Sequence, residues 1–356
     1  MKVLLLGDLS GLHKNLKSGL HECGLKNIDL ATNGDGYKKI YGDIILPKPR
    51  NYSIYSRLKY RYEFINTLSK VKGYDIVQIA GPYIFPFPFF PYRNLIQNLK
   101  RNNGKIFLCA CGSDSFYWEI SRKILSYGPF DETIKYDLNG VNPKQNSVKG
   151  YNFNKYLADN VDGIIAVSYE YFVAYKDHIN FKSFIPQPIF LKSVQNKKFE
   201  IEKKINVFHG LSRYGLKGTR HIEKALEKLK KKYPDRVNIK IEGRMPLDKY
   251  LQKILNSHIV IDQCYSYSYG MNALYSMAME KLVFSGSEED IFSSLGVDSI
   301  PVVNILPNSE YIFETLSYYV EKPSLIEELS QNSRKYVERF HNASMIANEY
   351  LKQWSL

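Results

Sequence analysis

The sequence predicts an α/β protein built from two consecutive doubly wound domains, each with a parallel sheet covered by helices. Short apolar runs alternate with helical patterns through the first half of the chain, which is typical of parallel strands joined by crossover helices. The alternation stops at Pro186-Gln187-Pro188 and the charged segment 192–204, and then begins again. A chain of 356 residues is long for one domain and sufficient for two of about 170 each.

The predicted strands are short buried runs that end in polar or glycine-containing turns. In the first half they are Val3–Leu6, Ile28–Ala31, Ile76–Ile79, Ile106–Cys109 and Val161–Ser168. In the second half they are Ile205–Phe208, Val237–Glu242, Ile259–Asp262 and Leu282–Ser285, with helices over His221–Lys232 and Asn272–Glu280. Ligands of doubly wound sheets bind beyond the carboxyl ends of the strands, so we expect a binding cleft between the two domains.

Basic residues exceed acidic ones over the whole chain, but the excess is not spread evenly. There are 49 Lys and Arg against 36 Asp and Glu, a formal net charge of +13. Between Pro47 and Asp75, seven basic residues stand against two acidic ones, a local net charge of +5. This excess indicates a negatively charged partner, and nucleic acid, anionic lipid and a phosphorylated substrate all qualify.

The cysteines and the N-terminal segment indicate the cellular compartment in which the protein resides. Cys23, Cys109, Cys111 and Cys264 lack the paired spacing of a zinc site. The segment Met1–Asp8 reaches a charge too soon for a signal peptide and is better explained as the first strand. Unbridged cysteines without a secretion signal fit the reducing cytoplasm, where we expect this protein to reside.

A loop rich in Gly, Arg and Lys, residues 209–219, lies between a predicted strand and a predicted helix. Its glycines let the backbone approach a ligand closely, and the helix N-terminus offers free N–H groups. Arg213 and Lys217 add two cations, so the loop has what a diphosphate needs. It is not a Walker loop, because the G-x-x-x-x-G-K-[ST] pattern is missing. An ordinary basic turn is the alternative.

A second candidate segment is the Ser/Tyr/Gly loop, residues 263–270, which follows a buried strand ending in Asp262-Gln263 and opens a helix. Such a loop can hold a pyrophosphate and a sugar on backbone amides. A polar turn that merely caps the helix is the alternative.

Taken together, these segments resemble the retaining GT-B glycosyltransferases that include bacterial polysaccharide-building enzymes. The matching segments, in chain order, are Gly112-Ser113-Asp114, Ile241-Glu242-Gly243, Asp262-Gln263, Tyr269-Gly270, Met277-Ala278-Met279, Leu282–Gly286 and Pro301–Ile305. The resemblance implies a GT-B fold with two Rossmann-like domains facing a central cleft. It places an acceptor-binding domain over 1–190, a nucleotide-sugar-binding domain over 191–335, and a closing helix over 336–356 that packs back toward the first domain.

The resemblance also implies roles for particular residues. Arg213 and Lys217 stand where the family holds the donor diphosphate, and they would neutralise the leaving group without a metal ion. Asp114 would orient the acceptor or the sugar, or it would cap the helical segment that follows it. The other donor-site candidates are Gly11, Gly210, Glu242, Asp262, Gln263, Tyr267, Tyr269, Gly270, Met271, Asn272 and Tyr275.

The chain departs from the family at its most characteristic positions. The family usually has two glutamates where this sequence has Tyr267 and Tyr275, and a glycine where it has Glu280. A phenol can exchange hydrogen bonds with a ribose hydroxyl but carries no charge near neutral pH. Either the donor site has been rebuilt, or the protein is a catalytically degenerate scaffold or binding subunit of a polysaccharide-assembly complex.

The expected activity is transfer of a sugar from a UDP- or GDP-sugar to a glycan or polyprenyl-diphosphate-linked acceptor, with no metal or other cofactor. The resemblance places this reaction in the synthesis of a bacterial surface polysaccharide of the capsule or O-antigen type. The segment 47–92 interleaves aromatics with cations and is predicted to contact the anionic inner face of the plasma membrane. The alternative is that these aromatics pack the core of the domain.

The sequence disfavours two other classes of protein. A nucleic-acid-binding protein is the main competitor, but the sequence has no RNA- or DNA-binding motif, and we expect no nucleic-acid partner. An NAD enzyme is disfavoured, because no G-x-G-x-x-G follows the first strand.

Overall fold

The computed structural model describes residues 1–49, 53–86, 91–136, 145–197, 200–211 and 214–356. Their strands form two sheets in which every pairing is parallel, one from each half of the chain. The predicted α/β architecture of two doubly wound domains is confirmed.

The first sheet has seven strands in the order β3-β2-β1-β4-β5-β6-β7. They are β1 (Val3–Leu6), β2 (Ile28–Thr32), β3 (Ile44–Ile45), β4 (Ile76–Ala80), β5 (Lys105–Ala110), β6 (Gly163–Ala166) and β7 (Phe181–Phe184). The predicted strands all occur, and the edge strands β3 and β7 are additional. The strand order reverses between β1 and β4, which places a crevice beyond the carboxyl ends of these two strands.

The second sheet has five strands in the order β12-β11-β10-β8-β9. They are β8 (Ile205–Leu211), β9 (Val237–Gly243), β10 (Ile259–Ile261), β11 (Leu282–Ser285) and β12 (Val303–Asn304). Here the strand order reverses between β8 and β10, so a crevice lies between the two loops that the sequence singled out. Glu280, which precedes β11, has φ 57, the left-handed conformation that favours glycine.

The helices flank both sheets. They are α1 (Leu12–Glu22), α2 (Ile54–Ser69), α3 (Tyr92–Asn102), α4 (Arg122–Ile124), α5 (Pro129–Lys135), α6 (Val148–Asn160), α7 (Tyr169–Tyr175), α8 (Thr219–Lys232), α9 (Leu247–Leu255), α10 (Met271–Ala278), α11 (Asp290–Leu295), α12 (Ser309–Glu321), α13 (Pro323–Phe340) and α14 (Ala343–Ser355). Short 3₁₀ turns occur at Gly36–Lys38, Pro82–Ile84 and Leu191–Ser193, and a π turn at Tyr117–Ser121. None of the helices in the described ranges is long and apolar enough to cross a bilayer.

The chain passes between the domains twice, and the two crossings lie side by side. The N–H of Ile189 donates to the carbonyl of His341 at 2.7 Å, and the N–H of Ala343 donates to the carbonyl of Ile189 at 3.0 Å. This pairing interrupts the C-terminal helical segment, so residues 336–356 contain the end of α13 and all of α14 rather than one helix. The Asn342 side chain caps the new helix by accepting from the N–H of Ser344 at 3.0 Å.

The last helix, α14, packs against the first sheet, as the resemblance implied. Its buried Tyr350 and Trp354 lie in one apolar cluster with Val3 and Phe107 from β1 and β5. The Trp354 indole N–H also donates to the side-chain oxygen of Gln78 at 3.0 Å. The C-terminus of the chain therefore completes the core of the N-terminal domain.

This packing predicts that Trp354→Ala destabilises the first domain. Trp354 is 2% exposed, and truncating a buried Trp to Ala typically costs about 3–5 kcal/mol in the free energy of unfolding. The matched control is Met345→Ala in the same helix, where the side chain is 52% exposed, and it should change stability by less than about 0.5 kcal/mol. Urea denaturation measures both, and equal midpoints for Trp354→Ala and wild type would contradict the assignment.

Candidate functional site between the domains

Two cavities of about 220 Å³ each lie at the carboxyl ends of the strands and share Gly112 in their walls. The interdomain cavity takes its lining from both domains. Its polar lining residues include Ser113, Ser168, Glu170, Gln187, Lys217, Gln263, Ser266 and Ser268. Among the residues that the structure describes, those that line the first-domain cavity belong to the first domain and include Asp8, Asn33, Asp35 and Tyr83. A ligand in each cavity would meet the other at Gly112.

Lys217 is the cation among the residues that line the interdomain cavity. It lies in the loop after β8, and its Nζ is 2.5 Å from Oδ1 of Asp262 at the end of β10. Lys217 is 7% exposed and Asp262 2%, so Asp262 holds the ammonium group in place from behind. The adjacent Gly218 has φ +72, and a Cβ there would lie 2.1 Å from Sγ of Cys264, which only glycine avoids.

Two other predicted donor-site residues, Gly210 and Glu242, are not among the residues that line the interdomain cavity. Arg213, with Ser212, lies outside the described residues, so its role as a diphosphate ligand stays a prediction. Gly210 is buried in β8, where a Cβ would clash with the ring of Tyr250. Glu242 forms an ion pair with Lys253 Nζ on α9 at 2.8 Å, away from the linings of both cavities.

The Ser/Tyr/Gly loop ends at Gly270, which lines the interdomain cavity and is the N-cap of α10. This helix begins at Met271 and Asn272 and has no side-chain cap, so its first N–H groups are available to a ligand. Gln263 supports the loop from inside, because its Nε2 donates to the carbonyl of Ser268 at 3.1 Å. The loop therefore presents backbone donors and the positive end of a helix dipole to the cavity.

Tyr275 stands at one of the family's glutamate positions and contacts the first domain. Its hydroxyl accepts from Nδ2 of Asn15 on α1 at 2.7 Å. It also lies against Gly11, where a Cβ would come within 2.4 Å of the hydroxyl oxygen and where φ is +87. Burial raises the pKa of Tyr275, so the phenol stays neutral. Gly11 is thus needed to admit the tyrosine that bridges the domains.

Tyr267, at the other glutamate position, also bridges the domains. Its hydroxyl accepts from the N–H of Ser126 at 2.9 Å, and its ring centre lies 4.9 Å from that of Tyr127. At both positions where the sequence resemblance expects a glutamate, the second domain therefore has a buried phenol that contacts the first.

Tyr269 hydrogen-bonds to His341, at one of the two places where the chain crosses between the domains. Its hydroxyl lies 2.9 Å from the Tyr336 hydroxyl and 2.9 Å from Nε2 of His341. The other nitrogen of His341, Nδ1, lies 2.7 Å from the carbonyl of Gln187, which can only accept, so Nε2 accepts from Tyr269. Burial lowers the pKa of His341 to about 4, which keeps this imidazole neutral.

Asp114 lies directly behind the cavity wall that Ser113 forms. It is fully buried, with Oδ1 accepting from the N–H of Tyr117 at 2.9 Å and Oδ2 accepting from the Tyr175 hydroxyl at 2.7 Å. Burial raises the pKa of this carboxyl to about 6. In this arrangement Asp114 caps the following helical turn, one of the two roles considered from the sequence.

Glu170, near the start of α7, was not predicted. It is 3% exposed and is the carboxylate among the lining residues of the interdomain cavity. Oε1 accepts from the N–H of Ser268 at 2.8 Å and from the Ser266 hydroxyl, and Oε2 accepts from the Ser168 hydroxyl at 2.8 Å. The sequence could have pointed to Glu170 through its position just beyond the carboxyl end of a predicted buried strand.

Asp8, Asp35 and Lys38 were also missed. In the first-domain cavity, Asp8 accepts from the N–H of Gly11 at 2.6 Å, and burial raises its pKa to about 6. Asp35 accepts from the N–H of Ser10 at 2.9 Å, and Lys38 Nζ lies 3.8 Å from Asp35. Burial lowers the pKa of Lys38, against the opposite effect of Asp35.

The sequence matches no protein-family model and no curated protein, but solved structures share its fold. Sucrose-phosphate synthase from Thermosynechococcus elongatus is 12% identical and aligns over 100% of this chain and 98% of its own, with a TM-score of 0.67. HepE from Anabaena, solved with UDP and glucose, is 10% identical over 100% of both chains, with a TM-score of 0.61.

The UDP-GlcNAc 2-epimerase from Neisseria meningitidis, bound to UDP-GlcNAc, is similar too. It is 12% identical over 99% of both chains, with a TM-score of 0.55. These similarities establish the GT-B fold that the sequence implied. Because a transferase and an epimerase share the fold, the activity of this chain has to be argued from its own site.

Proposed function

We propose that this protein is a glycosyltransferase that moves a sugar from a nucleotide-sugar donor to a glycan or polyprenyl-diphosphate-linked acceptor. The observation that carries the proposal is the interdomain cavity, where a buried lysine and an uncapped helix N-terminus stand opposite a buried carboxylate. The first two features suit a diphosphate, and the third suits sugar hydroxyls. Transferases with the same fold and a UDP-containing relative support this assignment.

The donor diphosphate would lie between Lys217 and the first turn of α10. As the bond between the sugar and the diphosphate breaks, negative charge grows on the leaving oxygen, and a fixed cation with backbone donors stabilises it. Arg213 would add a second cation by resemblance. The new bond joins the anomeric carbon to the acceptor oxygen, and the leaving phosphate takes the acceptor proton.

The acceptor would occupy the first-domain cavity. Asp8, Asn33 and Asp35 line it together with apolar Leu46 and Ile84, a combination suited to the hydroxyls and faces of a sugar. Glu170 and Ser113 would contact the transferred sugar from the other side of Gly112. The acceptor hydroxyl and the anomeric carbon would then meet where the two cavities join.

The cleft is closed in this structure. Each cavity of about 220 Å³ is smaller than the roughly 300–1,000 Å³ of typical ligand pockets. The contacts of Tyr275 with Asn15 and of Tyr267 with Ser126 span the cleft. We therefore infer that donor entry requires the domains to separate and these contacts to break.

The donor proposal predicts that removing Lys217 weakens nucleotide binding. UDP, GDP, ADP, dTDP and CMP are compared by calorimetry, and we expect a uridine or guanosine diphosphate to bind. Because Lys217→Met alone would leave Asp262 buried and unpaired, the tested variant is Lys217→Met/Asp262→Asn. It should bind at least ten-fold more weakly, about 1.4 kcal/mol.

The matched control for this experiment is Lys253→Met, which breaks the ion pair with Glu242 outside both cavities and should leave affinity unchanged. Equal affinity in the double variant would contradict the donor site. A well-folded protein that binds none of the nucleotides would favour the degenerate scaffold. A sugar converted without any acceptor would favour an epimerase over a transferase.

We propose further that α2 docks the first domain on an anionic membrane. Ile54, Leu58, Tyr62 and Ile65 recur every three or four residues on its outer side and are between 39% and 79% exposed. Exposed cations, Arg57 and Lys59, accompany this apolar stripe. A helix that presents such a stripe beside cations can lie in the headgroup region, which would bring a lipid-linked acceptor to the cleft.

Outside α2, the segment 47–92 gives no further support for membrane contact. Phe85 is 1% exposed and packs in the first-domain core, which is the alternative considered for these aromatics. Residues 50–52 and 87–90 lie outside the described residues. The membrane proposal therefore depends on α2.

The docking proposal predicts that charge on the α2 stripe abolishes vesicle binding. Wild type should cosediment with vesicles containing phosphatidylglycerol, less so at high salt, and not with vesicles of phosphatidylcholine alone. Leu58→Glu/Tyr62→Glu should remain in the supernatant with an unchanged melting temperature. Ile179→Glu, at a 93% exposed apolar position outside α2, should still bind. Binding of the double variant at the wild-type level would contradict the proposal.

A further inference from the structure

A cavity of about 560 Å³ lies at the opposite end of the second domain from the cleft. It opens beyond the amino ends of four neighbouring strands, each of which contributes one polar residue at or near its start. These residues are Asn206 of β8, Asn238 of β9, His258 before β10 and Lys281 before β11. The cavity is larger than either cavity of the cleft and exceeds the roughly 300 Å³ lower bound of typical ligand pockets.

Three of these four residues are satisfied by one another and by the backbone. Nδ1 of His258 accepts from the N–H of Asn206 at 2.9 Å, and Nε2 lies 2.9 Å from the carbonyl of Glu200. Nδ2 of Asn238 donates to Oδ1 of Asn206 at 2.9 Å. Burial lowers the pKa of His258, so the imidazole is neutral. The floor of the cavity is therefore organised before any ligand arrives.

Lys281 is the exception. Its residue is 2% exposed, yet over the described ranges its ammonium group has neither a hydrogen-bond partner nor an ion-pair partner. Burial lowers its pKa to about 8, with Glu280 acting in the opposite direction and Lys197 in the same one. Glu280 is the nearby carboxylate, but within the described ranges it forms no ion pair with this ammonium group. A lysine that is so little exposed is unfavourable as a cation unless an anion lies against it, so this side chain points to an anion in the cavity.

The other residues that line the cavity indicate which class of anion it binds. Lys197, Lys203, Lys204 and Lys230 line the cavity together with Lys281, while its carboxylates are Glu200 and Glu202, so the lining carries a net charge of +3. No arginine is present among the described lining residues, and lysines act as point charges toward phosphate rather than as the planar forks that pair with a carboxylate. The Asn side chains and the two glutamates can contact hydroxyls of the same ligand.

We propose that this cavity is a second anion site, which binds a small molecule carrying two or more linked phosphate groups, with Lys281 as the buried anchor. The site lies on the side of the second sheet away from Lys217, so it does not depend on the proposed donor site. Inorganic pyrophosphate and a nucleoside diphosphate share the recognised group and differ in the hydroxyls that they offer to the glutamates and asparagines.

Calorimetry with pyrophosphate tests the proposal, using the full chain carrying Lys217→Met/Asp262→Asn so that the cleft does not contribute. In this background we expect saturable binding, with Lys281→Met weakening it at least ten-fold. Removing a buried, unpartnered charge should leave the melting temperature equal or higher, so loss of folding would not explain the loss of binding. Lys231→Met, an exposed lysine of α8 outside the lining, should bind as the background does.

Absent binding, equal binding by Lys281→Met, or equal losses in Lys281→Met and Lys231→Met would each overturn the site. If UDP binds more tightly than pyrophosphate, the ligand is a nucleotide; if the two bind equally, the phosphates alone are recognised. A second measurement is covalent labelling of Lys281 by an amine-reactive reagent, which pyrophosphate should slow; labelling unaffected by saturating pyrophosphate would contradict direct contact.

Discussion

The two domains are held face to face by buried hydrogen bonds that cross the cleft, and the candidate site exists only while they are made. Glu170 of the first domain accepts from Ser266 and Ser268 of the second, and Tyr275 of the second accepts from Asn15 of the first. An unpaired buried polar group is costly, so separating the domains is tolerable only when water or a ligand takes over these partners. The interdomain cavity therefore has its observed shape only while the two domains are closed against each other.

The connection between the domains restricts how they can separate. The two crossings pair with each other at Ile189 and Ala343. A hydrogen bond between Tyr269 and His341 connects them to the loop that precedes α10. Beyond them α14 anchors the chain in the first-domain core. Opening should therefore occur as a rotation about this double crossing, while closure excludes water from the reacting groups and completes the site from both sides.

The central strands could be predicted because they are short runs of apolar residues, as in Val3–Leu6 and in the first three residues of Leu282–Ser285. The two-residue edge strands could not, because Ile44–Ile45 and Val303–Asn304 are too short to carry a pattern, whereas the seven-residue edge strand Val237–Gly243 could. The glycine-rich loop was found because its signal is local. Glu170 was missed because its partners lie 96 and 98 residues away. For the same reason the sequence showed that two glutamates had become tyrosines but not that the phenols bridge the domains.

The central claim is that a nucleotide-sugar binds between Lys217 and the start of α10, and hydrogen–deuterium exchange with and without UDP-glucose and GDP-mannose tests it most directly. The account predicts slower exchange in residues 214–218 and 263–273 on both sides of the ligand, and in the loop at Gly112, when the matching donor binds. Unchanged exchange in these segments, with a donor shown to bind by calorimetry, would contradict it.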